Sequence, residues 1–119
     1  MAKQYRLELD HVHCERRQDA AGQDELQIKV DGSVLYGGNG GSPIGRGDRV
    51  PATGSWTGYS RLFTDDADVQ LLEIDSGSNP DDLGTYTVDG ATDVNQGVIH
   101  RVYTRNNAEY SLGYRVVAA

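Results

Sequence analysis

Leu71-Leu72-Glu73-Ile74-Asp75-Ser76-Gly77-Ser78-Asn79-Pro80-Asp81-Asp82-Leu83-Gly84 is an apolar run that becomes an acidic loop and then re-enters apolar sequence. Its opening residues read as the end of a β-strand and its closing Leu-Gly as the start of the next. Asp, Asn, Gly, Ser and Pro are turn formers, so a solvated surface turn is the plainest reading of the middle. Glu73, Asp75, Asp81 and Asp82, however, crowd carboxylates at strand ends. Such groups repel one another unless a hard cation sits among them. Calcium suits the arrangement, because it takes about six to eight oxygen ligands in loose geometry. The Glu-x-Asp-x5-Asp spacing favours the cation over the plain turn. So does a second acidic loop upstream, Asp19-Ala20-Ala21-Gly22-Gln23-Asp24-Glu25.

The rest of the chain reads as short strands. Tyr5, Leu7 and Leu9 alternate with Arg6, Glu8 and Asp10, which is the pattern of a half-buried strand. Val12 and Cys14 continue it with the opposite parity, so a bulge is expected near Asp10-His11. Residues 15–23 read as a polar loop. Leu26, Ile28 and Val30 mark a second strand, and Asp31-Gly32 is a two-residue hairpin signal leading to its partner at residues 33–36. The glycine-rich stretch 37–47 reads as loop throughout. Residues 49–52 and 59–63 are weaker strand candidates with Trp56 between them. Further strands are expected at 69–75, 83–88 and 98–104. Asn106-Asn107 marks a turn. The clearest strand is 109–117, with Tyr110, Leu112, Tyr114 and Val116 on one face. No segment sustains a 3.6-residue period, so no helix is expected. About eight short strands, with turns roughly every 8–12 residues, imply an all-β fold: one antiparallel β-sandwich spanning residues 1–119.

The two acidic loops together resemble those of the C2 domains, a family of calcium- and phospholipid-binding β-sandwiches. One loop of that family reads Asp, then a Gly, then Ser-Asp-Pro-Tyr running into a strand. The other reads Asp-x-Asp-x5-Asp-x-x-Gly. Here Glu73, Asp75, Asp81 and Gly84 keep the second spacing, with Glu in place of the first Asp. The first loop departs further: Asp19 precedes Asp24 by five residues rather than six, and Glu25-Leu26 stands where Pro-Tyr would be. The likeness covers residues 5–36 and 68–88; residues 37–67 do not match. The chain thus looks like a divergent C2-like domain of bacterial type. The resemblance implies a Greek-key sandwich with a calcium site shared by Asp19, Asp24, Glu73, Asp75, Asp81 and Asp82.

That site carries a topological condition. Successive antiparallel strands alternate in direction, so successive loops alternate between the two poles of a sandwich. The acidic loops share a pole only if an even number of strands lies between them. Residues 26–30, 33–36 and 69–75 make three strands, so residues 49–52 and 59–63 must together count as one. By the same logic the run Thr64-Asp65-Asp66-Ala67-Asp68 belongs to the opposite pole, where a solvated turn is expected.

Composition excludes some functions. The 119 residues carry 18 acidic against 11 basic side chains, a formal charge of −7. Nucleic-acid phosphates need a basic footprint, which is lacking. Membrane binding is disfavoured too: the tip Ser76-Gly77-Ser78-Asn79-Pro80 offers neither apolar nor basic groups, and no lysine-rich face meets anionic lipid. Cys14 is the single cysteine, so no intrachain disulfide is expected. Met1-Ala2-Lys3-Gln4-Tyr5-Arg6 lacks the apolar core of a signal peptide. The expectation is a soluble chain made in the cytoplasm, retained there or exported without a cleaved signal.

Other candidates are weaker. His11-x-His13-Cys14 offers zinc- or copper-type donors on one strand without a second pair nearby, and His100 lies on a separate strand. No Gly-x-Ser-x-Gly elbow organises a nucleophile, so no enzyme is expected. Gly37-Gly38-Asn39-Gly40-Gly41 lacks the Gly-Lys-Ser/Thr of a phosphate loop. Arg46-Gly47-Asp48 spells an adhesion tripeptide but is also a plain turn. Trp56 and Tyr59 could stack on sugar rings. The sequence therefore points to a non-enzymatic calcium-binding module with a structural or interaction role, its partner a protein, a second copy or a glycan. The alternative is a carbohydrate-binding module or a subunit of a larger extracellular or phage-like assembly.

Overall fold

Alternation of apolar side chains organises the first strand and, through it, one whole sheet. In the computed structural model, which describes residues 2–18, 23–75 and 79–119, β1 runs over Gln4–Arg16. Tyr5, Leu7 and Leu9 face inward, the register slips between Leu9 and His11, and Val12 and Cys14 then face inward. The bulge falls where the parity change demands it. β1 continues to Arg16, beyond the expected strand end, because Arg16 still pairs with Glu109.

The remaining strands are β2 (Asp24–Val30), β3 (Ser33–Tyr36), β4 (Ser42–Ile44), β5 (Arg49–Val50), β6 (Ser60–Thr64), β7 (Asp66–Glu73), β8 (Asp81–Asp89), β9 (Ile99–Tyr103) and β10 (Glu109–Ala118). They form two antiparallel sheets. The first has the order β5-β1-β10-β9, with β6 also on β1; the second has β3-β2-β7-β8, with β4 also on β2. β5 pairs with Val12–His13 and β6 with residues 4–8, so both are collinear pieces of one edge strand. β3 and β4 divide the other edge in the same way along β2. With each collinear pair counted once, each sheet has four strands. The sandwich thus has the expected eight, and the topological condition on residues 49–63 is met.

Three expectations are corrected. The run 64–68 is not a solvated turn: Thr64 ends β6, Asp66, Ala67 and Asp68 begin β7, and Ala67 is fully buried. Residues 37–47 are not all loop, because residues 42–44 form β4. Glycine makes this possible: the chain leaves β3 and returns to the same partner by passing tightly over β2. A Cβ on Gly37 (φ +92) would stand 2.2 Å from the Leu26 carbonyl oxygen, and one on Gly41 (φ +76) would stand 2.6 Å from that of Glu25. The Gln27 Nε2 donates to the Gly38 carbonyl at 2.8 Å and holds the excursion down. There is also one helical turn, α1 (Gly90–Asp93), capped by the Asp89 carboxylate, which accepts from the Ala91 and Thr92 N–H groups. A single turn is too short to register as a period.

The excursion between β5 and β6 is fastened to the bulge of β1. The Trp56 N–H donates to the Asp10 carbonyl at 2.8 Å and the Leu9 N–H to the Tyr59 carbonyl at 2.9 Å. Trp56, Tyr59 and Tyr36 pack ring to ring at centroid distances of 4.6 to 5.4 Å. The core lies between the sheets. Tyr110, Leu112, Tyr114 and Val116 of β10 face Leu26, Ile28, Val69 and Leu71, all at most 1% exposed.

Gly32 and Gly37 separate conformational strain from collision. Gly32 (φ +81) has open space where a Cβ would go, whereas Gly37 does not. Gly32→Ala is expected to cost about 1 kcal/mol. Gly37→Ala is expected to cost about 2–3 kcal/mol, since backbone must also shift. Urea unfolding of the two variants checks the difference.

Candidate metal centre

The pole of the second sheet is built by three strand ends in register. Leu26 of β2 pairs with Glu73 of β7, and Glu73 pairs with Asp81 of β8. Paired residues on antiparallel strands point to the same face. Glu73 therefore follows Leu71 and Val69 into the interior, and Asp81 joins it. The ladder extends past β7: the Ile74 N–H donates to the Glu25 carbonyl at 2.9 Å. The Glu25 N–H donates to Glu73 Oε1 at 3.4 Å. Asp75, one further step of the same parity, lies with them. One carboxylate oxygen each from Glu73, Asp75 and Asp81 falls within 4.8 Å of the others. Glu73 is fully buried, and Asp75 and Asp81 are half-buried. At that spacing two full charges repel by roughly 3 kcal/mol at an effective dielectric of about 20. A cation among them would offset that repulsion, and a set of hard oxygens suits calcium.

The other expected ligands are placed differently. Asp24 lies at the same pole as Asp81, as the pairing through Leu26 and Glu73 requires. Its buried carboxylate reaches toward the first sheet, outside the three-oxygen group. Asp24 Oδ2 accepts the Gln18 N–H at 2.7 Å and the hydroxyl of Tyr110. Asp82 alternates outward with Leu72 and Gln70. Its Oδ1 accepts the Gly84 N–H at 2.9 Å and Gln70 Nε2 at 3.2 Å, and its Oδ2 takes the Arg105 guanidinium at 2.7 Å. Asp19, like the loop tip Ser76-Gly77-Ser78, lies outside the described residues. At the opposite pole Asp68 is held by local contacts: its N–H donates to Asp31 Oδ1 at 2.9 Å and its Oδ1 accepts from Thr87 at 2.7 Å.

Two ionisations follow from these contacts. Burial raises the Tyr110 hydroxyl far above its ordinary value, and its bond to Asp24 raises it further. The phenol therefore remains a donor at every working pH. Burial also works to raise Asp82, but the Gly84 N–H, Gln70 and Arg105 outweigh it and hold the carboxyl below the usual range.

Tyr110 was legible only as a core residue; nothing in the sequence ties it to Asp24, which is distant in the chain. Parity could have separated the acids. Asp24 shares the inward parity of Leu26, Ile28 and Val30, while Asp82 sits between inward Asp81 and Leu83 and must point out.

Two four-stranded sheets with this pairing and an acidic pole define a C2-like β-sandwich. No protein-family model and no curated protein matches the chain. Solved structures do. A structure described as a C2 domain aligns at a TM-score of 0.54 and 16% identity, covering 98% of this chain and 99% of that one. The C2A domain of plant Extended Synaptotagmin 1 aligns at 0.51 and 9% identity, over 97% and 92% of the two chains. Human GIVD cytosolic phospholipase A2, in complex with an inhibitor and terbium chloride, aligns at 0.53 and 8% identity. The whole of this chain matches only 18% of that enzyme. At these identities the likeness is one of fold.

Tyr110→Phe leaves Asp24 buried with one donor fewer. It is expected to cost about 1–3 kcal/mol in urea unfolding. Asp82 has a testable pH signature. Its pKa is lower in the folded state than the value of about 3.9 in an unfolded chain. The unfolded state therefore binds its proton more readily. The stabilisation is present above that unfolded value and is lost as pH falls through the folded one. Asp82→Asn is expected to flatten the fall in melting temperature between about pH 5 and about pH 3.

Proposed function

We propose that this chain is a non-enzymatic calcium-binding β-sandwich module with a structural or interaction role. Glu73, Asp75 and Asp81 are the central ligands. The observation that carries this reading is the convergence of those three carboxylates at the interior end of two paired strands. Calcium needs more oxygens than three side chains supply, so carbonyls and water complete the shell. Asp24 stands at the same pole, and Asp19 is kept as a candidate ligand on its sequence position alone. Asp82 is left out of the set, since Gly84, Gln70 and Arg105 occupy its oxygens.

The comparisons support the reading through fold and through one ion. Terbium, present in the phospholipase structure, is a hard cation that takes oxygen ligands as calcium does. The loop tip contributes no apolar or basic side chain, so the proposed role is cohesion or protein contact rather than membrane docking. Among the described residues no helix is long and apolar enough to cross a membrane. A second reading, a carbohydrate-binding module, is favoured by a cavity of about 370 Å³ beside Trp56 and Tyr59, lined also by Glu8 and Arg115. Retention on a glycan array separates it from the first.

Calcium that binds only the folded state stabilises it by about 2.7 kcal/mol at a hundredfold excess over Kd. For a domain of this size the melting temperature is expected to rise on the order of 10 °C. The rise is expected to vanish with EDTA and in the double variant Asp75→Asn plus Asp81→Asn. An unchanged melt in calcium removes the proposal.

A further inference from the structure

The outer face of the first sheet carries a second set of donors, unrelated to the acidic pole. His11 of β1 and His100 of β9 both pair with Gly113 of β10, which lies between them. Gly113 has no side chain, and the His11 ring lies across the gap: a Cβ there would stand 2.5 Å from His11 Cε1. The two rings face each other over it with centroids 5.2 Å apart and planes tilted by 59°. His11 Nδ1 sits 2.6 Å from Asp10 Oδ1. An ionised carboxylate only accepts, so Nδ1 carries the hydrogen and Nε2 is the ring nitrogen left to meet a ligand. Arg115 binds the other Asp10 oxygen and fixes the carboxylate behind the ring.

We propose that His11 and His100 form a two-imidazole site for a borderline divalent cation of the zinc type, with Asp10 as the positioning residue. A carboxylate behind a ligating histidine is the usual device for fixing its tautomer and plane. The separation of the ring centres leaves room for tetrahedral binding with one nitrogen of each ring turned to the ion. A zinc ion about 2.1 Å from one nitrogen of each ring stands roughly 3.2 Å from each ring centre. Centroids 5.2 Å apart then subtend roughly 105–110° at the metal, the tetrahedral angle. The other two positions fall to water or to a donor from a bound partner. His100 is exposed, so the face is open to solvent. The neighbouring sulfur and imidazole play no part. Cys14 is buried in the core, and His13 Nδ1 turns to Glu15 at 2.8 Å.

Titration with Zn²⁺ in saturating calcium tests this while the carboxylate pole is occupied. The ring nitrogen resonances of His11 and His100 are expected to move together at one equivalent, with those of His13 unmoved. His100→Gln is expected to weaken binding at least about tenfold, measured calorimetrically. The wild-type spectra stand on their own if the variant folds poorly. Zinc shifts centred on His13 or on the Glu73 pole, no shift at all, or wild-type affinity in folded His100→Gln each overturn the site.

Discussion

The pairing of Leu26 with Glu73 is the constraint on which the acidic pole depends. It fixes which face of β7 looks inward. A slip of one residue would turn Glu73 to solvent and Leu72 to the core. The apolar positions Ala67, Val69 and Leu71 of β7 forbid that slip, because all of them would be expelled with it. The ordinary hydrophobic pattern of two strands thereby positions carboxylates that would otherwise avoid each other. Asp81 follows because β8 is registered on β7 in turn.

The sheets are joined by more than apolar packing. Three buried tyrosines of β9 and β10 each send a hydroxyl across or beyond the core. Tyr103 donates to the Val69 carbonyl at 3.1 Å, Tyr110 to Asp24 and Tyr114 to Asp93 at 3.3 Å. Each hydroxyl would be costly inside the sandwich without such a partner. Asp24 thus holds the start of β2 against the first sheet, beside the proposed cation site.

Much of this architecture was legible from alternation alone. The change of parity at Asp10-His11 announced the bulge, Asp31-Gly32 the hairpin, and Tyr110 to Val116 an inward face. The resemblance of residues 73–84 to a C2 loop anticipated both the fold and the convergence of Glu73, Asp75 and Asp81. What local pattern could not show was long-range pairing. β4 has three residues and includes Pro43, so it carries no periodic signal and exists only because β2 offers it an edge. Asp82 looked like a ligand because neighbours in sequence look like neighbours in space. A strand places them on opposite faces, and Arg105 then claims the outward one. His100 approaches His11 only because β10, with Gly113, runs between their strands.

The divided edges have a consequence for how the protein behaves in a crowd. An unbroken, straight outer strand is a template onto which another chain can add, and so a seed for fibrils. Here the β3–β4 and β5–β6 borders are each split by an excursion, and Pro43 and Pro51 remove amide donors beside the breaks. Neither border offers a continuous row of donors and acceptors long enough to recruit a stranger, and growth along those sides stalls at the gap.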